Sequence, residues 1–311
     1  MVAEMSKEET KNSTDAGVEI LKNEPFENEH GKGQYTHKIY HVGSRLPRFI
    51  TAIVPSSALK LEEEAWNGYP YCKTVLTNPF LGERFKLTIT SRHFADAGTQ
   101  ENVHSLDEKQ LKQREVVYID IANDKVEEKD YSEKTDPTKF HSELTGRGPF
   151  TGDWIKTTQP IMCCYKLVEM KFKVLGLESA VESFVGKVCR WAAQRAAAIW
   201  AGALAADRSA CVYLWRRRGG GGGALQFQRQ LFLTFHRKLT CAMDQWYPLT
   251  MADIREMERK AKEELEETLA KRKLQTAGGK SHDKADGKGG QSAFVRATLG
   301  RAVRAPCELG S

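Results

Sequence analysis

The sequence predicts an α+β fold in which a mainly antiparallel sheet precedes a set of helices. Two observations carry this. Short β-prone runs follow one another between residues 33 and 122, with Gly, Pro, Asn and Asp between them and no helix in each gap, which is the spacing of hairpins rather than of βαβ units. The C-terminal part instead repeats apolar residues every three or four positions. With 311 residues, 40% hydrophobic and 28% charged, the chain suits one large domain with appendages or two average ones.

Residues 1–16 are polar and read as a loose lead without the apolar stretch of a signal peptide. Strands are predicted at 34–42, 49–54, 73–77, 85–90 and 116–122. Residues 124–160 are charged and rich in turn formers, and read as a long ordered loop. In the strand predicted over 162–175, period-two alternation puts Cys164, Lys166, Val168, Met170, Phe172 and Val174 on one face. A helix is predicted over 176–188, with Leu177, Val181, Phe184 and Val185 on its apolar stripe. The pattern resumes from Gln228 through Leu231, Phe235, Leu239, Met243 and Trp246. In the last helix Thr250 and Asp253 resemble a capping box, and Met251, Ile254, Met257, Ala261, Leu265 and Leu269 form the stripe.

Between these helices the composition breaks. Residues 189–227 hold 11 Ala, 6 Gly, 6 Arg and 3 Trp in 39 positions, with neither Lys nor Glu. The organisation expected is therefore 1–188 as the first part of one domain, 189–227 as an atypical insertion, 228–273 as its C-terminal helices and 274–311 as a disordered tail.

Charge excludes a generic nucleic-acid binder. Residues 189–311 carry a net +10 and residues 1–188 a net −4, whereas a polyanion-binding domain is basic throughout. Seven cysteines, an odd number without CxxC or Cys/His spacing, fit neither a zinc site nor a disulfide framework, and point to a reducing, intracellular compartment. The longest apolar run, 196–206, has 11 residues, and a bilayer span needs about 20. No nucleophile elbow, phosphate loop, HExxH or GxGxxG motif is present, so an enzyme is the weaker reading, and no metal site is expected.

Polar groups on apolar elements remain. Thr36 and Lys38 share a strand face with Tyr40, Lys166 interrupts an apolar face, and Glu258 borders the apolar stripe of the last helix. Two readings stand for Lys166: an edge-strand lysine reaching solvent, or a lysine turned into an apolar cavity that holds an anion. For the whole set, ordinary surface polarity stands beside recognition of a polyol phosphate by hydroxyl, ammonium and carboxylate groups.

Several segments decide between families. Asn23-Glu24-Pro25-Phe26, Gly33-Gln34-Tyr35-Thr36-His37-Lys38-Ile39-Tyr40-His41, Ala65-Trp66-Asn67-Gly68-Tyr69-Pro70-Tyr71-Cys72 and Thr145-Gly146-Arg147-Gly148-Pro149 resemble the phosphatidylinositol transfer proteins, in order along the chain. So do Cys164-Tyr165-Lys166-Leu167-Val168 and Leu249-Thr250-Met251. The resemblance is to the small, single-domain class. It implies a START-like helix-grip fold, a concave sheet around a lipid cavity closed by a C-terminal helix, and non-enzymatic transfer of phosphatidylinositol and phosphatidylcholine, which are cargo rather than cofactor. It places Thr36, Lys38, Asn67 and Glu258 on the inositol headgroup, with Lys166, Thr74, Ser91 and Glu63 as further headgroup residues and Ser91 replacing a family threonine. Cys72 and Phe235 fall on cavity positions linked to transfer. Val174 and Leu175 stand where the family docks on membranes with paired tryptophans.

The implied protein is a cytoplasmic monomer whose partners are phospholipid cargo and, transiently, a Golgi or ER membrane surface. The family begins with a further strand and helix and runs uninterrupted across 189–227, so a gene-model artefact is the expectation for both, with retained non-coding sequence as one form of it at 189–227. A lipid-presenting module without efficient transfer and a non-functional truncated member are the alternatives.

Overall fold

The computed structural model describes residues 18–41, 55–172, 212–213 and 222–279. Six antiparallel strands, each paired with the next in sequence, form one sheet: β1 (Val18–Asn28), β2 (Gly31–His41), β3 (Lys60–Gly68), β4 (Tyr71–Thr77), β5 (Phe85–Phe94) and β6 (Cys163–Phe172). A two-residue strand, β7 (Val212–Tyr213), pairs in parallel with Cys164 and Tyr165 of β6. The α+β class follows, with the helices after the sheet.

Alternation along the strands separates two faces. Tyr40, Leu61, Leu76, Leu87, Cys164 and Val168 share the inner face and pack with Phe232 and Leu233 of α3 (Gly222–Cys241). On the outer face of β6, Tyr165 packs with Phe94, Val103 and Ile155. Between β5 and β6 residues 95–162 form one connection that holds α1 (Glu108–Gln113) and, within the long ordered loop predicted for 124–160, α2 (Trp154–Thr157).

α3 is gripped from both sides. Phe232 and Leu239 face the sheet. Turned toward the loop, Arg237 bonds the Thr135 carbonyl at 3.2 Å and Asp136 at 2.7 Å, Gln230 bonds the Lys125 carbonyl at 3.2 Å, and Arg229 pairs with Asp124 at 2.6 Å. A short helix, α4 (Met243–Trp246), follows after Ala242. Its Asp244 accepts from the buried Ser142 hydroxyl and from the Glu143 amide.

The last helix, α5 (Met251–Gly279), starts on the predicted capping box: the Thr250 amide donates to Asp253 at 2.8 Å and the Asp253 amide to Thr250 Oγ1 at 3.2 Å. Its stripe is less buried than the periodicity implies. Ile254 is buried and Ala261 half-buried, while Met251 and Met257 are exposed. Two units divide the chain, 1–266 and 267–311, and in the second residues 267–279 are helical.

Three sequence expectations change. Residues 116–122 form no strand beyond an isolated bridge at Asp120. Despite the β-branched composition, the Asp120 carboxylate takes the amides of Ala122 and Asn123 and the Trp154 indole N–H, at 2.8–3.0 Å, and closes a turn. The sequence pattern predicts neither β1 nor β3. β1 lacks alternation, with Val18 its one buried residue, and β3 carries Glu62, Glu63 and Glu64 in a helix-like composition. The strand at 49–54, the helix at 176–188 and the docking pair Val174–Leu175 lie outside the described residues. Among those described, no helix is long and apolar enough to cross a membrane.

Candidate functional site

Strand register orders the inner face into rows. The first runs Gln34, Asn67, Cys72, Ser91, Lys166; the second Asn23, Thr36, Ala65, Thr74, Ile89, Val168; the third Ile20, Lys38, Glu63, Leu76, Leu87, Met170. Polarity falls along this direction. From β2 to β6 every member of the first row carries a polar side chain or a thiol, with Pro25 opposite Gln34 on β1, while the third is apolar apart from one ion pair.

Three polar atoms here are buried without a hydrogen-bond partner: Thr36 Oγ1, Asn67 Oδ1 and Thr74 Oγ1. Thr36 and Thr74 flank Ala65, whose methyl group leaves both hydroxyls unopposed. Each such group costs about 1–3 kcal/mol unless something else pairs it. They therefore mark where a hydrogen-bonding ligand would be stabilised.

Lys166 is buried on the inner face, not turned to solvent, and donates to Ser91 Oγ at 3.2 Å with its ammonium 5.4 Å from the Phe232 ring. Lys38 differs. Its ammonium is 2.8 Å from Glu63 Oε1, with both side chains essentially inaccessible, and the Tyr40 hydroxyl donates to Glu63 Oε2 at 3.0 Å. Lys38 and Glu63 thus satisfy each other. Glu258 of α5 reaches β1, where Asn23 donates to it at 3.4 Å and Arg255 pairs with it at 2.6 Å. Asn23 is the cross-strand partner of Thr36 and also accepts from Gln34 at 2.5 Å.

Cys72 is buried against Leu239, Ala242, Met243 and Trp246, with Phe235 half-buried beside it. Burial pushes its thiol up to about 12, against the opposing effect of the Lys166 charge. All eight predicted headgroup residues and both cavity residues thus fall on the inner face of the sheet or on the helices beside it. Sequence reasoning misses Asn23 and Gln34. Gln34 carries a signal, being two residues before Thr36 on the same face. Among the described residues no group of three His, Cys, Asp or Glu side chains is placed to hold a metal ion.

Comparison with known proteins agrees. The family described as phosphatidylinositol transfer protein matches residues 1–201 and 224–263. The chain belongs to the phosphatidylinositol transfer protein family. Phosphatidylinositol transfer protein 1 of Dictyostelium discoideum is 44% identical over 270 residues, covering 86% of this chain and 87% of its own length. Phosphatidylinositol transfer protein 2 of the same organism is 42% identical over 274 residues, covering 88% and 90%. The phosphatidylinositol transfer protein beta isoform of Mus musculus is 41% identical over 271 residues, covering 85% of each. The family match breaks at 202–223, inside the compositionally atypical stretch, and β7 lies in that break.

Proposed function

We propose that this chain binds one phospholipid against the inner face of its sheet and carries phosphatidylinositol and phosphatidylcholine between membranes. The observation that supports it best is the set of unpartnered Thr36, Asn67 and Thr74 atoms beside Lys166 and Ser91. A phosphoinositol headgroup is complementary to this set: ring hydroxyls pair with Thr36, Asn67 and the Asn23–Glu258 edge, and the phosphate with Thr74, Ser91 and Lys166. Acyl chains would lie toward Leu76, Leu87, Val168 and Met170.

Two acyl chains carry roughly 30 CH₂ groups, and at about 0.8 kcal/mol each their exposure to water costs more than 20 kcal/mol. An apolar protein interior removes much of that barrier. The exchange makes and breaks no covalent bond. The reading includes a cytoplasmic monomer that meets ER or Golgi membranes transiently, with Val174 and Leu175 as the inserting pair.

A vesicle assay with both lipids tests it. Thr36→Val and Glu258→Gln lower phosphatidylinositol transfer by about tenfold or more and leave phosphatidylcholine transfer near wild type, because choline offers no ring hydroxyls. Equal loss of both in folded variants would reject the inositol assignment. Native mass spectrometry that finds no phospholipid on well-folded wild type would reject the function.

A further inference from the structure

One buried titratable group remains without a role. On the sheet-facing side of α3, Phe232, His236 and Leu239 follow one another at helical spacing. Phe232 holds its ring 5.4 Å from the Lys166 ammonium, and Leu239 packs with Cys72. Cys72, Ser91 and Lys166 are consecutive cross-strand neighbours. His236, between Phe232 and Leu239, therefore faces the same part of the sheet, within range of the Lys166 and His93 side chains.

His236 is 1% exposed, and its Nε2 has no hydrogen-bond partner in the protein. The ring lies edge-on to Phe235 at 5.1 Å. Burial first, then the charge of Lys166 and the nearby His93, holds its pKa well below the usual imidazole range. A neutral imidazole still offers an N–H donor. Beside an ammonium and a serine hydroxyl, its natural complement is an anionic oxygen.

We infer that His236 Nε2 donates a hydrogen bond to the phosphodiester of the bound phospholipid, on the helix side of the Ser91–Lys166 pair. The inference rests on the proposed function. It adds a residue that grips what both cargoes share, in contrast to Thr36 and Glu258, which face what only the inositol lipid has.

Vesicle transfer by the full chain tests it. His236→Phe, which keeps the ring and removes the nitrogens, lowers transfer of phosphatidylinositol and of phosphatidylcholine alike, by about tenfold, while His236→Gln, whose amide reaches the Nε2 position, stays within about threefold of wild type. Wild-type rates for His236→Phe, or loss of one lipid alone, would overturn the inference. Nitrogen-15 NMR of the wild-type imidazole guards against a variant that fails to fold. Loading from phosphatidylcholine vesicles shifts the Nε2 resonance, and inorganic phosphate leaves it in place. An unmoved resonance on a chain that carries phospholipid rejects the role of His236 alone. A response to free phosphate assigns the nitrogen to a small anion instead. A wild-type chain that never carries phospholipid rejects the proposed function as well.

Discussion

Removing one partner of the Lys38–Glu63 pair should cost far more than removing both. At 2.8 Å and an effective dielectric near 20, their attraction is about 6 kcal/mol, offset by several kcal/mol of lost hydration for each ion. The pair is therefore close to neutral overall, and either half alone is a buried charge without compensation. Lys38→Met and Glu63→Gln should each destabilise by about 3–5 kcal/mol. In the double variant, the Tyr40 hydroxyl can still donate to the carboxamide oxygen introduced at position 63, and the cost should fall to about 1–2 kcal/mol, a coupling of at least about 4 kcal/mol. Urea denaturation followed by tryptophan fluorescence measures all four proteins, at equal phospholipid load because bound ligand adds its own stabilisation. Additive costs, with the double variant worst, would refute the reasoning.

Other perturbations separate packing from chemistry. A Cβ at Gly33 would lie 2.1 Å from the Asn67 carbonyl oxygen and 2.7 Å from the Gly68 Cα, and backbone cannot yield as a side chain can. Gly33→Ala should cost about 3 kcal/mol by denaturation, at the top of the overpacking range, whereas a Cβ at Gly31 meets open space and only its positive φ opposes alanine. Burial, partly opposed by a hydrogen bond to the Tyr165 carbonyl, holds the His104 pKa down at about 4. The folded state then binds fewer protons than the unfolded chain between about 4 and 6.5, so this contribution is complete above pH 6.5 and about 3 kcal/mol of it is lost as the pH falls through 4. Melting temperature measured from pH 7 to 4 should fall less steeply in His104→Gln. With its thiol near 12, Cys72 has on the order of one part in ten thousand as thiolate at pH 8, so maleimide should label it at least about a thousandfold more slowly than a free thiol. Rapid labelling would mean that the inner face opens readily.

What the sequence made legible follows burial. β2 and β4 alternate because one face of each is dry, β6 reads as a strand although both its faces are covered, and the Thr250–Asp253 cap is local chemistry that needs no tertiary context. The 116–122 run misleads because β propensity measures fit to a pleated surface, and one carboxylate, Asp120, overrides it by collecting four N–H groups. β3 is hidden by its glutamates, which become strand residues only through partners elsewhere: Glu63 through Lys38 and Tyr40, Glu64 through the Tyr35 hydroxyl at 2.7 Å. Such pairings are long-range and leave no trace in a local window. The same holds for His236, whose setting comes from a sheet distant in sequence.

The double attachment of α3 ties the sheet to the 124–138 segment, which itself packs Val126 against the same core. Anything that lifts Phe232 and His236 off the strands must also tug Arg229, Gln230 and Arg237 against the 124–138 segment. That segment reaches solvent at Tyr131, 46% exposed, whose hydroxyl is tied to Asp136 and so to Arg237. A fluorophore placed beside Tyr131, well away from any cargo, would thus act as a remote gauge of occupancy, dimming or brightening as the chain fills and empties.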